Sequence, residues 1–346
     1  MSDGEWVTLR TLEGQVDIMK TFLVIGGQGD LGQNRILPAL HALGHVADVV
    51  DINPRPCYLP KLPAVRYEYQ CSEPAGVPRP VKPYSGVIVA TPNDLHLEHC
   101  RWAMQEKVAC LVEKPLAHSL CAAEALDDLA ARSSQPLLSA DHYLFKGPSR
   151  WVFQNRHLLG RIGSLQRIRG RLLETAGVSP GRDWLLDPRR SGGGLWTDLG
   201  IHLVTFVMRM MNWSCSSVRI TGATASSFSA AGGEQSMEVR ATCEAVDLEF
   251  EVGKEAPHSR KDVLFEGSRG TICVDWEVDT ITSDVVRASA PTDTCGGYVE
   301  MLGEFADVCD NGPGARKRLV TCGQALDDLR IIKAGYGQLP PTCWIR

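Results

Sequence analysis

The stretch TFLVIGGQGDLG, residues 21–32, places an apolar run directly before a glycine-rich turn. The turn fits the pattern G-x-G-x-x-G over six residues: Gly27, Gln28, Gly29, Asp30, Leu31 and Gly32. A helical pattern follows the turn, and the next apolar run contains Asp51, nineteen residues past Gly32. A strand, a glycine turn, a helix and an acidic residue at the end of a second strand predict a dinucleotide-binding unit.

The residue types in this unit suit a dinucleotide. Glycines let the backbone approach a pyrophosphate, and the amides at a helix N-terminus bind it. Asp51, with Ile52 beside it, is predicted to accept hydrogen bonds from the ribose hydroxyls and to repel a 2′-phosphate. NAD is therefore the expected cofactor, although the nearby Arg55 leaves NADP open. Asp30 would place negative charge beside the phosphates, so its side chain is expected to point away or to cap the helix.

The pattern around the glycine turn predicts a parallel sheet with crossover helices. Apolar runs predict strands over residues 21–27, 45–52, 65–69, 86–91, 109–114 and 136–141. Amphipathic segments predict helices over 30–43, 94–106 and 119–132. Pro38 predicts a kink or an early end in the first helix, and the proline-rich stretch 71–85 is a predicted loop.

The pattern changes beyond residue 164, where longer alternating runs predict an antiparallel sheet. The predicted strands cover 164–176, 218–230, 237–254, 261–267 and 270–276, with helices over 198–211, 298–309 and 321–335. We therefore predict an α/β fold with two domains. A Rossmann domain covers 21–145, and an α+β domain with a large, mostly antiparallel open sheet covers 146–346.

Composition excludes several classes of protein. The chain has 346 residues, of which 44% are hydrophobic and 22% charged, as is ordinary for globular proteins. Its formal net charge of −5, without a basic run, argues against a nucleic-acid partner. No apolar stretch suits a bilayer or a signal peptide, so a cytoplasmic location is expected. The twelve cysteines lack C-x-x-C spacing, which predicts buried reduced thiols and no metal site.

Two short motifs follow predicted strands of the first domain. Thr91, Pro92, Asn93 and His96 lie where the fourth strand ends, a place that faces the cofactor cleft; alternatively, Asn93 merely caps the next helix. Glu113, Lys114 and Pro115 follow the fifth strand. An ammonium there would stabilise a developing alkoxide, although an isolated Lys after a strand is more often a surface residue.

The glycine-rich segment SGGGLWTDLGIH, residues 191–202, carries Asp198 and His202. At i and i+4 on a helix the two share one face. An imidazole that a carboxylate orients is a competent general base near neutral pH. The alternative is a capped helix start with a satisfied core histidine.

Taken together, these motifs resemble the glucose–fructose oxidoreductase / inositol dehydrogenase (Gfo/Idh/MocA) family, from Thr21 to Val204 and again at DLRIIKAGY, residues 328–336. The resemblance implies a Rossmann domain and a second domain whose open sheet walls the substrate site and often forms oligomer contacts, so a homodimer or homotetramer is expected. It implies catalytic roles for Lys114, Asp198 and His202. It also implies that Glu113 and Lys114 lie at the cofactor, with a cis bond before Pro115.

Two stretches also resemble glucose-6-phosphate dehydrogenase: GGQGDLGQNRILPAL, residues 26–40, and DHYLFK, residues 141–146. This resemblance implies that Asp141, His142, Tyr143 and Lys146 contact substrate or nicotinamide, the alternative being a strand-end cap and a solvated Lys. Trp184 is a candidate wall for a sugar ring. Arg182, Asp183 and Arg190 are candidates to recognise hydroxyls or charge.

The predicted reaction is hydride transfer between NAD(P) and a secondary alcohol or ketone of a sugar, sugar derivative or cyclitol. Lys114, Asp198 and His202 form the predicted catalytic set. Three alternatives are a phosphosugar dehydrogenase, a C=N reductase of the same family and a non-catalytic NAD-binding sensor. The DHYLFK stretch favours the first alternative, and the complete catalytic set argues against the other two.

Overall fold

The fold comes from a computed structural model that describes residues 19–54, 62, 64–71, 83–179, 181–284, 287–290 and 295–340. Arg55 and most of the predicted proline-rich loop lie outside the described residues. Two sheets organise the described chain. Within this part of the chain, no helix is both long and apolar enough to cross a bilayer.

The first sheet has seven strands in the order β15-β6-β5-β4-β1-β2-β3. The strands are β1 (Thr21–Ile25), β2 (Val46–Asp51), β3 (Val65–Gln70), β4 (Gly86–Val89), β5 (Cys110–Glu113), β6 (Leu137–Ala140) and β15 (Val320–Thr321). The first six run parallel, which confirms the predicted Rossmann sheet. Because β1 pairs with both β2 and β4, the strand order reverses beside β1, and a cleft opens there at the carboxyl ends of the strands.

Three helices cover this sheet: α1 (Leu37–Ala42), α2 (His96–Gln105) and α3 (Leu120–Arg132). The helix predicted over 30–43 is interrupted, because a wide π-type turn over Gly32–Ile36 precedes α1. Pro38 lies in the first turn of α1, where its missing N–H costs no helical hydrogen bond. Ser119 caps α3, with its Oγ accepting a hydrogen bond from the amide of Ala122 at 3.3 Å.

The second sheet has eight strands in the order β14-β13-β12-β11-β7-β10-β9-β8. They are β7 (Leu165–Leu173), β8 (Val218–Phe228), β9 (Glu234–Cys243), β10 (Val246–Gly253), β11 (Arg260–Gly267), β12 (Gly270–Asp275), β13 (Thr280–Ser283) and β14 (Arg287–Ser289). β7 and β10 pair in parallel, and the other neighbours are antiparallel. The predicted mostly antiparallel sheet is therefore confirmed.

Five further helices are described: α4 (Gly147–Gln154), α5 (Pro188–Ser191), α6 (Ile201–Met211), α7 (Tyr298–Asn311) and α8 (Cys322–Tyr336). α6 is buried almost throughout and packs on the second sheet, where the ring of Phe206 lies 6.4 Å from the ring of Phe265 in β11. Between α7 and α8, Val320–Thr321 pair with β6. The chain beyond residue 146 therefore contributes to both sheets. The two-domain division predicted at that residue does not include this return of the chain to the first sheet.

The sequence prediction is wrong over residues 237–254, which form a hairpin rather than one strand. Cys243 pairs with Val246, so Glu244 and Ala245 make a two-residue turn with φ of +47° and +66°. This left-handed backbone matches the twist of paired strands, but it favours Asn and Gly. The turn contains neither Asn nor Gly, so the sequence carried no signal for a hairpin here.

The ten described cysteines have free thiols. The expected burial applies to five of them: Cys100, Cys110, Cys243, Cys295 and Cys322. Cys121, by contrast, is exposed on α3. Its position on the outer face of a helix explains the difference, because that face is solvated.

The hairpin turn generates a stability prediction. Ala245→Gly should raise the free energy of unfolding by about 0.5 kcal/mol, because glycine adopts positive φ without the penalty that Ala incurs. Ala223→Gly, in the body of β8, is the matched control and should lower it by about 0.5–1 kcal/mol. Urea denaturation of both variants measures the difference. A loss of stability in Ala245→Gly would contradict the strain at this turn.

Candidate active site

A cavity of about 730 Å³ lies at the carboxyl ends of β1, β2, β4 and β5. Residues on or beside strands of both sheets line it, among them the glycine turn, Lys254 and Lys261. Thr91, Pro92, Asn93, Glu113, Lys114, His142, Tyr143, Lys146, Trp184, Asp198 and His202 also line it. The cleft predicted from the strand order is thus where most predicted site residues meet.

The glycine turn forms a close-packed cradle at one end of the cavity. Gly26 has φ +83°, and a Cβ there would lie 2.7 Å from the carbonyl oxygen of Ala90. A Cβ on Gly32 would overlap the carbonyl of Gly27. Gln28, Gly29, Asp30 and Leu31 line the cavity, whereas Gly27 and Gly32 lie behind its surface and keep the turn tight. Bare backbone followed by a helix start fits a pyrophosphate.

Asp51 ends β2 beside this cradle. Its carboxylate accepts hydrogen bonds from the amides of Gln28 at 3.0 Å and Asn53 at 2.9 Å. Both Asp51 and Ile52 face the cavity. The side chain of Asp30 accepts a bond from Asn34 in the first helical turn at 2.6 Å and lies 3.8 Å from Arg182. Its charge is thus compensated within the protein, but Asp30 neither points away from the cavity nor caps the helix, which corrects the expectation.

The turn after β4 places Asn93 at the cavity wall and His96 behind it. Asn93 does not cap its helix; its side chain donates to the carbonyl of Ser191 at 2.9 Å. His96 was predicted at the cofactor, but it is fully buried and its ring nitrogens contact the carbonyls of Pro115 and Thr91 at 3.1 and 3.0 Å. Burial lowers the pKa of His96 to about 4. His96 therefore braces the two loops from behind the cavity wall.

Lys114 and Asp198 form a buried ion pair across the cleft. The Lys114 ammonium donates to Oδ1 and to the carbonyl oxygen of Asp198, both at 2.7 Å. Burial alone would raise the pKa of Asp198, but the charges of Lys114 and Arg182 outweigh it and hold that pKa below its ordinary value. The Lys114–Pro115 bond is cis, as the resemblance implied.

His202 is oriented by Asp141 and not by Asp198, which corrects the predicted pairing. Nδ1 of His202 lies 2.7 Å from Oδ1 of Asp141, and both side chains are 3% exposed. Asp141 does not line the cavity, so it lies behind the histidine instead of contacting a ligand. Burial raises the pKa of Asp141 to about 7. Burial and the charge of Lys114 hold the pKa of His202 well below its ordinary value.

The ring of His142 links this pair to α7. It stacks on the ring of Tyr298 at 4.8 Å and meets the edge of His202 at 5.0 Å. The Tyr298 hydroxyl donates to Glu113 at 3.0 Å, and burial raises the pKa of Glu113 to about 7. Asp141, His142 and His202 offer donor atoms within 4.8 Å of one another, a spacing that metal ions use. Lys114 adds positive charge beside these atoms, which opposes the binding of a metal cation. That the protein holds no metal site stays a prediction from the sequence.

Comparison with known proteins decides the family. Residues 20–142 match the family model of an oxidoreductase family with an NAD-binding Rossmann fold, named GFO_IDH_MocA. Residues 158–273 match the GFO/IDH/MocA C-terminal domain. The chain belongs to the Gfo/Idh/MocA oxidoreductase family. The model of this family describes an NAD-binding Rossmann fold, and the glycine cradle with Asp51 fits such a dinucleotide.

Two curated relatives match over part of their length. A 117-residue stretch is 31% identical to 1,5-anhydro-D-fructose reductase of Ensifer adhaerens and covers 34% of either chain. A 147-residue stretch is 29% identical to an oxidoreductase subunit of Amycolatopsis mediterranei named for UDP-kanosamine synthesis, and covers 42% of this chain and 39% of that one. The match thus spans between a third and two fifths of these relatives.

Solved structures share the fold over nearly the whole chain. GenD2 from gentamicin A biosynthesis, in complex with NAD, has a TM-score of 0.76 at 19% identity, covering 95% of this chain and 97% of its own. Levoglucosan dehydrogenase, in complex with NADH and L-sorbose, has a TM-score of 0.73 at 15% identity, covering 92% and 96%. At these identities the likeness shows the Gfo/Idh/MocA fold alone.

Several cavity residues of this Gfo/Idh/MocA protein carried no sequence signal. They are Glu174, Lys254, Lys261 and Tyr298. Glu174, Lys254 and Lys261 lie on or beside strands of the second sheet, where charged residues alternate with apolar ones along the whole length. Only strand register shows which charges reach the cavity. Asp183, a candidate from sequence, is exposed and does not line it.

The position of Asp51 generates a cofactor prediction. Asp51→Ala should weaken NADH binding by about tenfold or more, because hydrogen bonds to a charged group are the stronger ones, while NADPH binding should weaken less. Fluorescence titration with both cofactors measures this. Asp128→Ala, on the exposed face of α3, is the control. Tighter NADPH than NADH binding by the unmodified protein, or equal losses for both cofactors in Asp51→Ala, would contradict ribose recognition.

Proposed function

We propose that the protein transfers hydride between a nicotinamide dinucleotide and a secondary alcohol or ketone of a sugar, sugar derivative or cyclitol. One observation carries the proposal: the Lys114–Asp198 pair and the His202–Asp141 pair face one cavity that also contains the glycine cradle. Oxidation of a secondary alcohol requires a base for the hydroxyl proton and a positive charge for the oxygen. His202 and Lys114 supply these two groups.

In the oxidising direction, neutral His202 accepts the hydroxyl proton at Nε2, because Nδ1 is held by Asp141. The Lys114 ammonium donates a hydrogen bond to the substrate oxygen and stabilises its alkoxide character. Asp198 holds that ammonium in place through two contacts of 2.7 Å. A nicotinamide bound at the glycine cradle would supply the hydride acceptor for the same carbon. The same groups serve ketone reduction in reverse.

Asp141 acts as a positioning residue for His202. As a carboxylate it accepts the Nδ1 proton, which leaves the Nε2 lone pair to act as the base. As a neutral acid it would donate to Nδ1 instead and place the ring proton on Nε2. The ionisation of Asp141 therefore decides which tautomer of His202 faces the cavity.

The names of relatives favour a sugar-related substrate. 1,5-Anhydro-D-fructose reductase is named for a sugar derivative, and levoglucosan dehydrogenase was solved with L-sorbose. Lys146 lines the cavity and is the residue that the phosphosugar alternative would use to bind a phosphate. The test is NADH absorbance with a panel of free and phosphorylated sugars and cyclitols. A protein that binds NAD and turns over no member would instead be a sensor, and turnover of imines alone would make it a C=N reductase.

The family resemblance also supports a homodimer or homotetramer in the cytoplasm. Light scattering coupled to size-exclusion chromatography measures the assembly.

The catalytic assignment predicts a specific pattern of losses. His202→Ala and Lys114→Met should each lower kcat by about 10² or more. Because Asp141 acts through His202, adding Asp141→Asn to His202→Ala should cost little more. NAD affinity should stay within a few-fold in Lys114→Met, since the cradle and Asp51 hold the cofactor. His157→Ala, at an exposed histidine, is the control. Near-normal kcat in both His202→Ala and Lys114→Met would remove the proposed mechanism.

The Asp141–His202 pair predicts a pH dependence. Since burial raises the pKa of Asp141 to about 7, the base form of the pair accumulates above that pH, so kcat for oxidation should rise through about pH 7. Asp141→Asn should lose this rise. Glu113 has a similar pKa of about 7, so Glu113→Gln is the matched comparison and should keep it. The measurement is kcat for oxidation between about pH 5.5 and 9 for each variant. An unchanged rise of kcat in Asp141→Asn would contradict the role of Asp141.

A further inference from the structure

We propose that Thr205 and Asp328 are positioning residues for His202. Both act through Oδ2 of Asp141, the carboxyl oxygen that does not contact the histidine. The Thr205 hydroxyl is shared between Asp328 and Asp141, and its donation to Asp141 stabilises the carboxylate that orients the base. This inference rests on the proposed function and adds two residues to its proton-accepting pair. Neither Thr205 nor Asp328 lines the large cavity, so neither would contact a substrate.

One side of α6 carries three residues of this group. His202, Thr205 and Arg209 follow one another at intervals of three and four residues, so their side chains lie along one face of the helix. Asp328 on α8 meets that face. Its Oδ2 accepts a hydrogen bond from the Thr205 hydroxyl at 3.0 Å, and its Oδ1 accepts one from Arg209 at 3.1 Å. One threonine and one ion pair therefore join α6 to α8 within one helical turn of the base.

Asp141 reaches the same place from the end of β6. Its Oδ1 accepts the Tyr143 amide at 3.0 Å and lies 2.7 Å from Nδ1 of His202. Its Oδ2 is buried and has no hydrogen-bond partner within the described chain. Asp141 and Thr205 both line one small cavity of about 10 Å³. Burial raises the pKa of Asp141, and the Thr205 hydroxyl acts in the opposite direction. The hydroxyl therefore has a second carboxyl group beside it.

A single hydroxyl cannot donate to both carboxyl groups at once. Threonine has one donor hydrogen, and in the structure Asp328 accepts it. A buried carboxylate oxygen without a donor is unfavourable, so ionisation of Asp141 favours rotation of the hydroxyl toward its Oδ2. Asp328 then keeps the Arg209 guanidinium as its partner. Rotation about one side-chain bond thus stabilises the carboxylate that accepts the Nδ1 proton of His202.

Asp328 opposes the ionisation of Asp141. Burial raises the pKa of Asp328 to about 7, Arg209 lowers it, and the charge of Asp141 raises it. The two carboxyl groups act on each other in this way because like charges in a buried site repel. Negative charge on Asp328 therefore disfavours the Asp141 carboxylate that the base needs. Thr205 and Asp328 together set the pH at which His202 becomes the base.

Other groups act on the two acids and stay in place when Thr205 is replaced. Against the effect of burial, Lys114 lowers the pKa of Asp141. Asp327, beside Asp328 on α8, adds to the effect of burial there. The remaining titratable neighbours are Glu113, Tyr143, Cys215 and Tyr298. A change in pH dependence on exchange of the hydroxyl for a methyl group therefore reports on the hydroxyl.

Replacements of Thr205 test the proposal through the pH profile of kcat for oxidation. Thr205→Val removes the hydroxyl and keeps the shape. The midpoint of the rise should move upward by about one pH unit, because the Asp141 carboxylate loses a hydrogen bond that stabilises it. Thr205→Ser keeps the hydroxyl and should keep the midpoint of the unmodified protein. Thr242→Val, at a half-buried threonine in β9, is the control. An unchanged midpoint in Thr205→Val would overturn the proposal.

Asp328→Asn should move the midpoint downward by about one pH unit. The substitution removes a negative charge that opposes ionisation of Asp141, and the charge of Arg209 that remains acts in the same direction. General damage to the fold would not move the midpoint in opposite directions in two variants. NADH affinity should stay within a few-fold in both, which shows that the cradle is folded. An upward or absent shift in Asp328→Asn would refute the assignment.

Nitrogen NMR of the histidine rings keeps this proposal distinct from the proposed function. In NADH-bound protein with isotope-labelled histidine, the Nδ1 and Nε2 signals of His202 report its tautomer without turnover, and His202→Ala identifies them by their loss. The tautomer should change with pH, at a midpoint that Thr205→Val raises. Such a shift without turnover of any sugar would support the role of Thr205 and reject the dehydrogenase. Turnover with a tautomer midpoint that neither Thr205→Val nor Asp328→Asn moves would do the reverse.

Discussion

The buried ion pair between Lys114 and Asp198 joins the two halves of the cavity. Lys114 follows β5 of the first sheet, and Asp198 lies in the turn before α6, which packs on the second sheet. Removing one partner of a buried pair leaves an uncompensated charge at a cost of about 3–5 kcal/mol. The relative position of the two sheets is thereby tied to the position of the catalytic ammonium. The rest of the cavity is arranged around this contact.

The turn that carries Asp198 is itself built by the last helix. The Tyr336 hydroxyl accepts the amide of Gly194 at 2.9 Å and donates to Glu234 at 2.8 Å. Glu234 in turn accepts the amide of Trp196 at 2.8 Å, and Lys333 binds the carbonyls of Gly192 and His118. Burial raises the pKa of Glu234 to about 7. The sequence KAGY near the end of the chain therefore acts on the active site through backbone contacts.

Local chemistry was readable from the sequence, whereas partner choice was not. The glycine turn, Asp51 and the cap at Ser119 depend on neighbours within a few residues or on a repeated strand pattern. The partner of His202 is 61 residues away, and the i, i+4 argument chose Asp198 because no other carboxylate was near in sequence. Lys114 takes Asp198 instead, since a carboxylate attracts an ammonium more strongly than a neutral imidazole. Lys254 and Lys261 reach the cavity only through the register of three strands.

The carboxyl groups of Asp198 and Asp141, which hold the two catalytic groups, have pKa values shifted in opposite directions. Asp198 is held ionised by the positive charge of Lys114, so it fixes a cation. Asp141 is buried without such a direct pair, and its pKa rises to about 7. Environments that push two similar groups apart in pKa assign them different roles. One pair therefore keeps a constant charge for the substrate oxygen, and the other pair exchanges a proton near neutral pH, as hydride transfer to or from an alcohol requires.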